Sequence, residues 1–130
     1  LRTDADDWHR SRFGNRLAAV QFTSWVNRYK GTSLLAPEDK DGRSMGAMMA
    51  TFAAERVPKD QVLLQSFRLA SVQQAAQAGY QACALVTSGG PQAALASGAT
   101  WAGIPLNLSA ADTRAWTESG IKVLVWTVTR

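Results

Sequence analysis

The chain has 130 residues, 46% of them hydrophobic, and a formal charge of +4, enough for one domain with a core of its own and too short for two. A lone cysteine, Cys83, and a lone histidine, His9, exclude an intrachain disulfide and a zinc site built from Cys and His ligands. No apolar run reaches the roughly 18 residues of a membrane-spanning helix, and the basic residues are scattered among acidic ones rather than interleaved with aromatics, which argues against a nucleic-acid partner.

In chain order, residues 1–15 have no clear period and read as loop. Leu17–Tyr29 reads as a helix with Val20, Trp25 and Val26 on its apolar side. A short β-prone run, Leu34–Ala36, precedes Met45, Met48, Met49, Phe52 and Ala53, an i, i+3, i+4, i+7, i+8 stripe that predicts a core helix. Val62–Leu64 then leads into Leu69, Val72, Ala75 and Ala76, a helix with Gly79 placed to end it. Ala82–Val86 is the next strand. Gly89-Gly90-Pro91 follows as a strand–helix turn, with Pro91 suited to the first helical turn.

Trp101–Leu106 is another strand. Ser109 is placed to cap a helix with Asp112 three residues on; that helix carries Trp116 and stops at Gly120. Ile121–Val128 is the last strand. These are about five βα-type units, the last without its helix, and the strands run as continuous apolar stretches. That pattern marks an α/β protein with a parallel sheet covered on its faces. Between Gln61 and Ala111 the single charged residue is Arg68, as expected of a mostly buried stretch.

Chemistry-bearing residues collect at the ends of the expected strands. Glu38 and Lys40 follow the first run. In extended chain, residues two apart share a face, so a carboxylate and an ammonium sit side by side at a strand tip. The carboxylate is suited to a hard divalent cation and the ammonium to a phosphate. With Asp39, Asp41 and Arg43 around them, the same residues also read as a solvated turn. Gln65, Ser66 and Phe67 follow the second strand, where Ser66 also suits a capping role. Trp126 ends the last strand, as core or as a ligand wall. Met45, Met48 and Met49 read as core, Cys83 as an inert core thiol, and His9 as an exposed or interface residue.

From about residue 31 to the end, Pro37-Glu38-Asp39-Lys40, Gln65-Ser66-Phe67 and Gly120-Ile121-Lys122-Val123 leading into Trp126-Thr127-Val128 resemble, in order and spacing, the glycerophosphodiester phosphodiesterase family. The resemblance implies an incomplete (β/α)8 TIM-type barrel, roughly strands three to seven of eight, over residues 1–130, with a leading loop and helix over 1–30 and βα units over 31–130. It implies hydrolysis of glycerophosphodiesters to glycerol phosphate and an alcohol, with a divalent cation, Mg or Ca. On that resemblance Glu38 matches a metal-holding carboxylate and Lys40 the lysine facing the phosphate. Trp126 matches the aromatic walling the glycerol pocket. Phe67 and Gln65 lie beside the substrate by position.

The departures carry an expectation of their own. The family's His-Arg-Gly strand, its Glu-x-Asp pair, its His-Asp motif and its eighth strand have no counterpart here. His9 fits neither histidine context, and Thr129 stands where the family has Asn. The 130 residues alone are therefore expected to lack phosphodiesterase activity. Two alternatives stay open. One is a lysophospholipase D or sphingomyelinase D type of phosphodiesterase, which an apolar cleft at the strand ends would favour. The other is a non-catalytic barrel fragment that self-associates, or pairs with a partner, through open sheet edges. The sequence does not fix a compartment.

Overall fold

The computed structural model describes residues 15–126. The expected loop before residue 15, His9, and the end of the last expected strand lie outside the described residues. Helix α1, Asn15–Tyr29, turns Phe22 and Val26 into the core. There the Phe22 ring meets Phe52 edge-on, centroids 5.6 Å apart. Helix α2, Met45–Ala54, buries Met45, Met48 and Phe52, the centre of the predicted stripe. Met49 packs at its border and Ala53 is exposed. Lys30 clamps α1 to the end of α2 through Glu55, 3.4 Å away.

The sheet has four strands: β1 Leu63–Ser66, β2 Gln81–Leu85, β3 Trp101–Pro105 and β4 Lys122–Trp126. They lie in the order β1-β2-β3-β4 and every pair is parallel. Helices α3 Leu69–Gln77, α4 Gln92–Ala96 and α5 Ala110–Glu118 make the crossovers. The start and stop signals act as their chemistry demands. The Ser109 hydroxyl accepts the Asp112 N–H at 3.1 Å. Gly79 adopts φ 88° after α3, a left-handed turn that glycine enters at little cost.

The first expected strand, Leu34–Ala36, is not a regular strand. Residues 35–38 instead run beside residues 62–65 through two isolated parallel bridges, Leu35 with Val62 and Glu38 with Gln65. The cause is visible in the hydrogen bonds. Leu35 N–H donates to Gln61 O (2.8 Å), Leu63 N–H to Leu35 O (2.8 Å), Gln65 N–H to Pro37 O (3.1 Å) and Asp39 N–H to Gln65 O (2.8 Å). The rung between these pairs needs an N–H at residue 37, and proline has none.

The two faces of the sheet differ. Leu64, Ala82, Ala84, Ala102 and Ile104 pack with Val72, Ala75, Ala94 and Trp116 of the helices. On the other face Leu63, Cys83 and Leu85 pack with Trp101 and Trp126, and no helical residue joins them among the described residues. The expected cover is thus present on one face. The second face corresponds to the interior of a closed barrel, here an open arc. Because all strands are parallel and sequential, their C-terminal ends form a single rim.

Candidate active site

Glu38 and Lys40 reach this rim because Asp39 between them is anchored behind it. Asp39 is fully buried. Its carboxylate accepts the N–H groups of Gly42 (2.9 Å), Ser44 (3.2 Å) and Met45 (3.2 Å) and the hydroxyl of Ser71 (2.9 Å). Its carbonyl accepts the Ser66 hydroxyl at 2.7 Å. One carboxylate thereby satisfies the backbone entering α2 and ties that turn to α3, while Ser66 ties it to β1. Extended chain alternates sides. With Asp39 turned inward, Glu38 and Lys40 fall together on the opposite side.

That side is an open cleft of about 580 Å³ lined by Glu38, Lys40, Gln65, Phe67, Leu85 and Trp126. All five residues singled out from sequence therefore meet in one place. Lys40 and Phe67 are exposed, and Glu38, Gln65 and Trp126 are half-buried. The Gln65 amide donates to Ala36 O at 2.7 Å, which fixes its orientation. The Trp126 indole N–H is shared between Gly103 O (3.0 Å) and Val86 O (3.1 Å), and Phe67 stands perpendicular to its ring at 5.6 Å. The result is a charged side carrying a carboxylate and an ammonium, facing an aromatic and aliphatic wall.

Gly103 leaves room where the side chains of Leu85 and Trp126 converge over the sheet. A Cβ at Gly103 would stand 2.5 Å from Leu85 Cδ2 and 3.3 Å from Trp126 Cδ1. Leu85 is the lining residue that sequence reading passed over. Strand alternation from Cys83, two residues earlier on β2, would have put it on this face. Asp39, which among Lys40, Asp41 and Arg43 reads as solvated, is instead buried. The signal was its position ahead of a helix with glycine three residues on, a side-chain-to-backbone turn pattern.

Ser66 does not cap α3 through the helix's own first turn. It accepts the Arg68 N–H at 3.0 Å and holds the turn before the helix. Gly89 serves structure as well, its carbonyl accepting the buried Trp116 indole N–H at 2.8 Å. Burial pushes the Cys83 thiol up to about 11, with a hydrogen bond from the Gly103 backbone working weakly the other way. Such a thiol is inert at neutral pH.

A divalent cation of the kind the family resemblance implies would need several oxygen donors. Among the described residues no group of three His, Cys, Asp or Glu side chains comes together. The cleft offers the Glu38 carboxylate, while Asp39 is committed to its N–H and hydroxyl donors. These residues do not by themselves make a cation cage.

No family model and no curated protein matches the chain. The fold does have a solved counterpart. The chain is similar to a glycerophosphodiester phosphodiesterase from Parabacteroides distasonis. The superposition has a TM-score of 0.70 at 14% sequence identity and covers 83% of this chain and 51% of that one. The likeness is one of fold: a parallel α/β arc matching part of a TIM-type barrel. The chain spans about half the length of the protein it matches.

Proposed function

We propose that the rim is the phosphate-binding part of a glycerophosphodiester phosphodiesterase active site. The observation behind this reading is the meeting of Glu38, Lys40, Gln65, Phe67 and Trp126 in one cleft, in a fold similar to that of an enzyme with this activity. Lys40 supplies a mobile point charge to the phosphoryl oxygens, where charge grows as the ester is cleaved. Trp126 and Phe67 wall the glycerol portion and limit its access to water. Glu38 would offer one anionic oxygen to a Mg or Ca ion, which would need further oxygen donors that the cleft residues do not offer.

Cleavage also needs an acid and a base, a contribution of about 10²–10⁴-fold, and no histidine lines the cleft. The reading therefore separates binding from turnover. Glycerol 3-phosphate titrated into the 130-residue chain should perturb the amide signals of residues 38–40 and 65–67 saturably. Lys40→Met should abolish the effect. The same chain should not hydrolyse glycerophosphodiesters with or without Mg or Ca. Binding indifferent to Lys40→Met would remove the rim from consideration.

A second reading, a self-associating or partner-binding module, is supported by β4. Leu124 and Val125 are 40% and 48% exposed, and β4 pairs only with β3 among the described residues. Apolar side chains beside an open edge are a template for association. Sedimentation equilibrium over a range of protein concentrations tests this reading: a monomer throughout argues against assembly.

A further inference from the structure

Beside the charged cleft lies a second open cavity, of about 430 Å³. Phe67 and Leu85 line both, so the two are neighbouring lobes with a shared wall. The second lobe adds Leu69, Val86, Ala93 and Ala94, with the Thr87 and Ser88 hydroxyls at the exit of β2, and no charged side chain lines it. Leu69 is 38% exposed and Phe67 41%, so two large apolar side chains face solvent at its mouth. Ligand pockets are commonly this size, mostly apolar with a few polar groups.

Resting on the phosphate-binding reading of the rim, we propose that this lobe receives the second alcohol of the diester, and that this alcohol is uncharged and apolar. The division of labour follows from the linings. Lys40, Glu38 and Gln65 serve the phosphate and its polar substituent. The neighbouring lobe offers an anionic or cationic head group no counter-charge, while it offers a hydrocarbon chain six apolar side chains. Its selectivity then comes from methylenes leaving water as they enter the lobe.

A series of phosphate monoesters tests this: inorganic phosphate, then methyl, butyl and hexyl phosphate, titrated into the 130-residue chain and followed by amide shifts. The phosphate should move residue 40 in every case. Affinity should rise about threefold to fourfold per methylene entering the lobe, and the shifts should spread to residues 86–88 as the chain lengthens. Leu69→Ser, and separately Ala93→Gln to fill the lobe from an exposed position, should flatten the series and leave inorganic phosphate binding as it was. A flat series in the unmodified chain, with phosphate still bound at Lys40, overturns the apolar-alcohol assignment and spares the phosphate site. A rising series that both substitutions leave intact places the tail elsewhere and overturns it too. If no member binds, both the site and its neighbouring lobe are refuted.

Discussion

The Ser71 hydroxyl donates to the Asp39 carboxylate at 2.9 Å, joining residues 32 positions apart in a fully buried contact. Asp39 separates Glu38 from Lys40, so this bond from α3 fixes the pair that gives the rim its charge. Burying a carboxylate costs several kcal/mol unless its oxygens are satisfied. Four donors from the α2 turn and α3 satisfy this one. The charged pair thus owes its direction to a third charge that never reaches the cleft.

Removing either partner should therefore be costly, and unequally so. Ser71→Ala should destabilise the fold by about 2 kcal/mol, the loss of one hydrogen bond to a charged group. Asp39→Ala should cost about 4 kcal/mol, because three N–H groups and a hydroxyl lose their acceptor at once. The double variant should cost clearly less than the sum, since both changes break the same bond. Urea midpoints at constant m-value measure all three. Strict additivity would mean the bond contributes nothing in solution.

Gly103→Ala tests how tightly the aromatic wall is seated. The new methyl meets Leu85 Cδ2 and Trp126 Cδ1. Leu85 can swing its terminal methyl away. Trp126 is held by two carbonyls through its N–H and has less room to yield. The expected cost is about 1–3 kcal/mol, typical of overpacking. A reduced near-ultraviolet dichroism band should accompany it. Trp126→Phe should remove the same band, which assigns it. An unchanged spectrum in Gly103→Ala would show that Leu85 absorbs the whole strain.

What could be read in the sequence was what depends on near neighbours. The methionine stripe of α2, the Ser109 cap and the Gly79 stop are each fixed by residues within about two turns of one another, and each forms. Glu38 and Lys40 came together on one face because period-two alternation is local. The failure of Leu34–Ala36 to form a regular strand was also local in cause, since Pro37 lacks the N–H. It became visible only once the register with β1 was known, because the missing rung has meaning only against a partner. Asp39 is the opposite case. Its burial depends on Ser66 and Ser71, and no windowed pattern shows that an aspartate in a charged turn will be covered by a helix arriving 30 residues later.

The cleft's single carboxylate leads to a prediction about cations. Hard divalent ions reach high affinity through several charged oxygens in one cage. With Glu38 alone offered by the cleft residues, titration calorimetry of the 130-residue chain should show no saturation by Mg²⁺ or Ca²⁺ below about 1 mM. Whatever weak binding is seen should vanish in Glu38→Gln. The same substitution should strengthen metal-free phosphate binding a few-fold, because it removes a negative charge from the anion's site. Micromolar cation binding that survives Glu38→Gln would move the metal away from this rim.

Cys83 gives the fold a pH dependence with a definite sign. Its thiol lies fully buried in β2, and burial raises it from an ordinary 9.0 to about 11. The folded chain therefore keeps this proton at pH values where the unfolded chain has released it. Stability from this group is complete below pH 9 and falls as pH rises through the window from 9 to 11. Tyr80 is also raised by burial and acts in the same direction, so the wild-type curve alone does not separate them. Cys83→Ala does. It costs some packing at every pH but loses the thiol's share of the alkaline decline, so its urea midpoints should converge on those of the wild type between pH 9 and 11. Midpoint curves that stay parallel across that window would mean the thiol is reached by water and ionises in place. In that case the native chain should also react with a thiol reagent at pH 8, where a buried Cys83 stays silent.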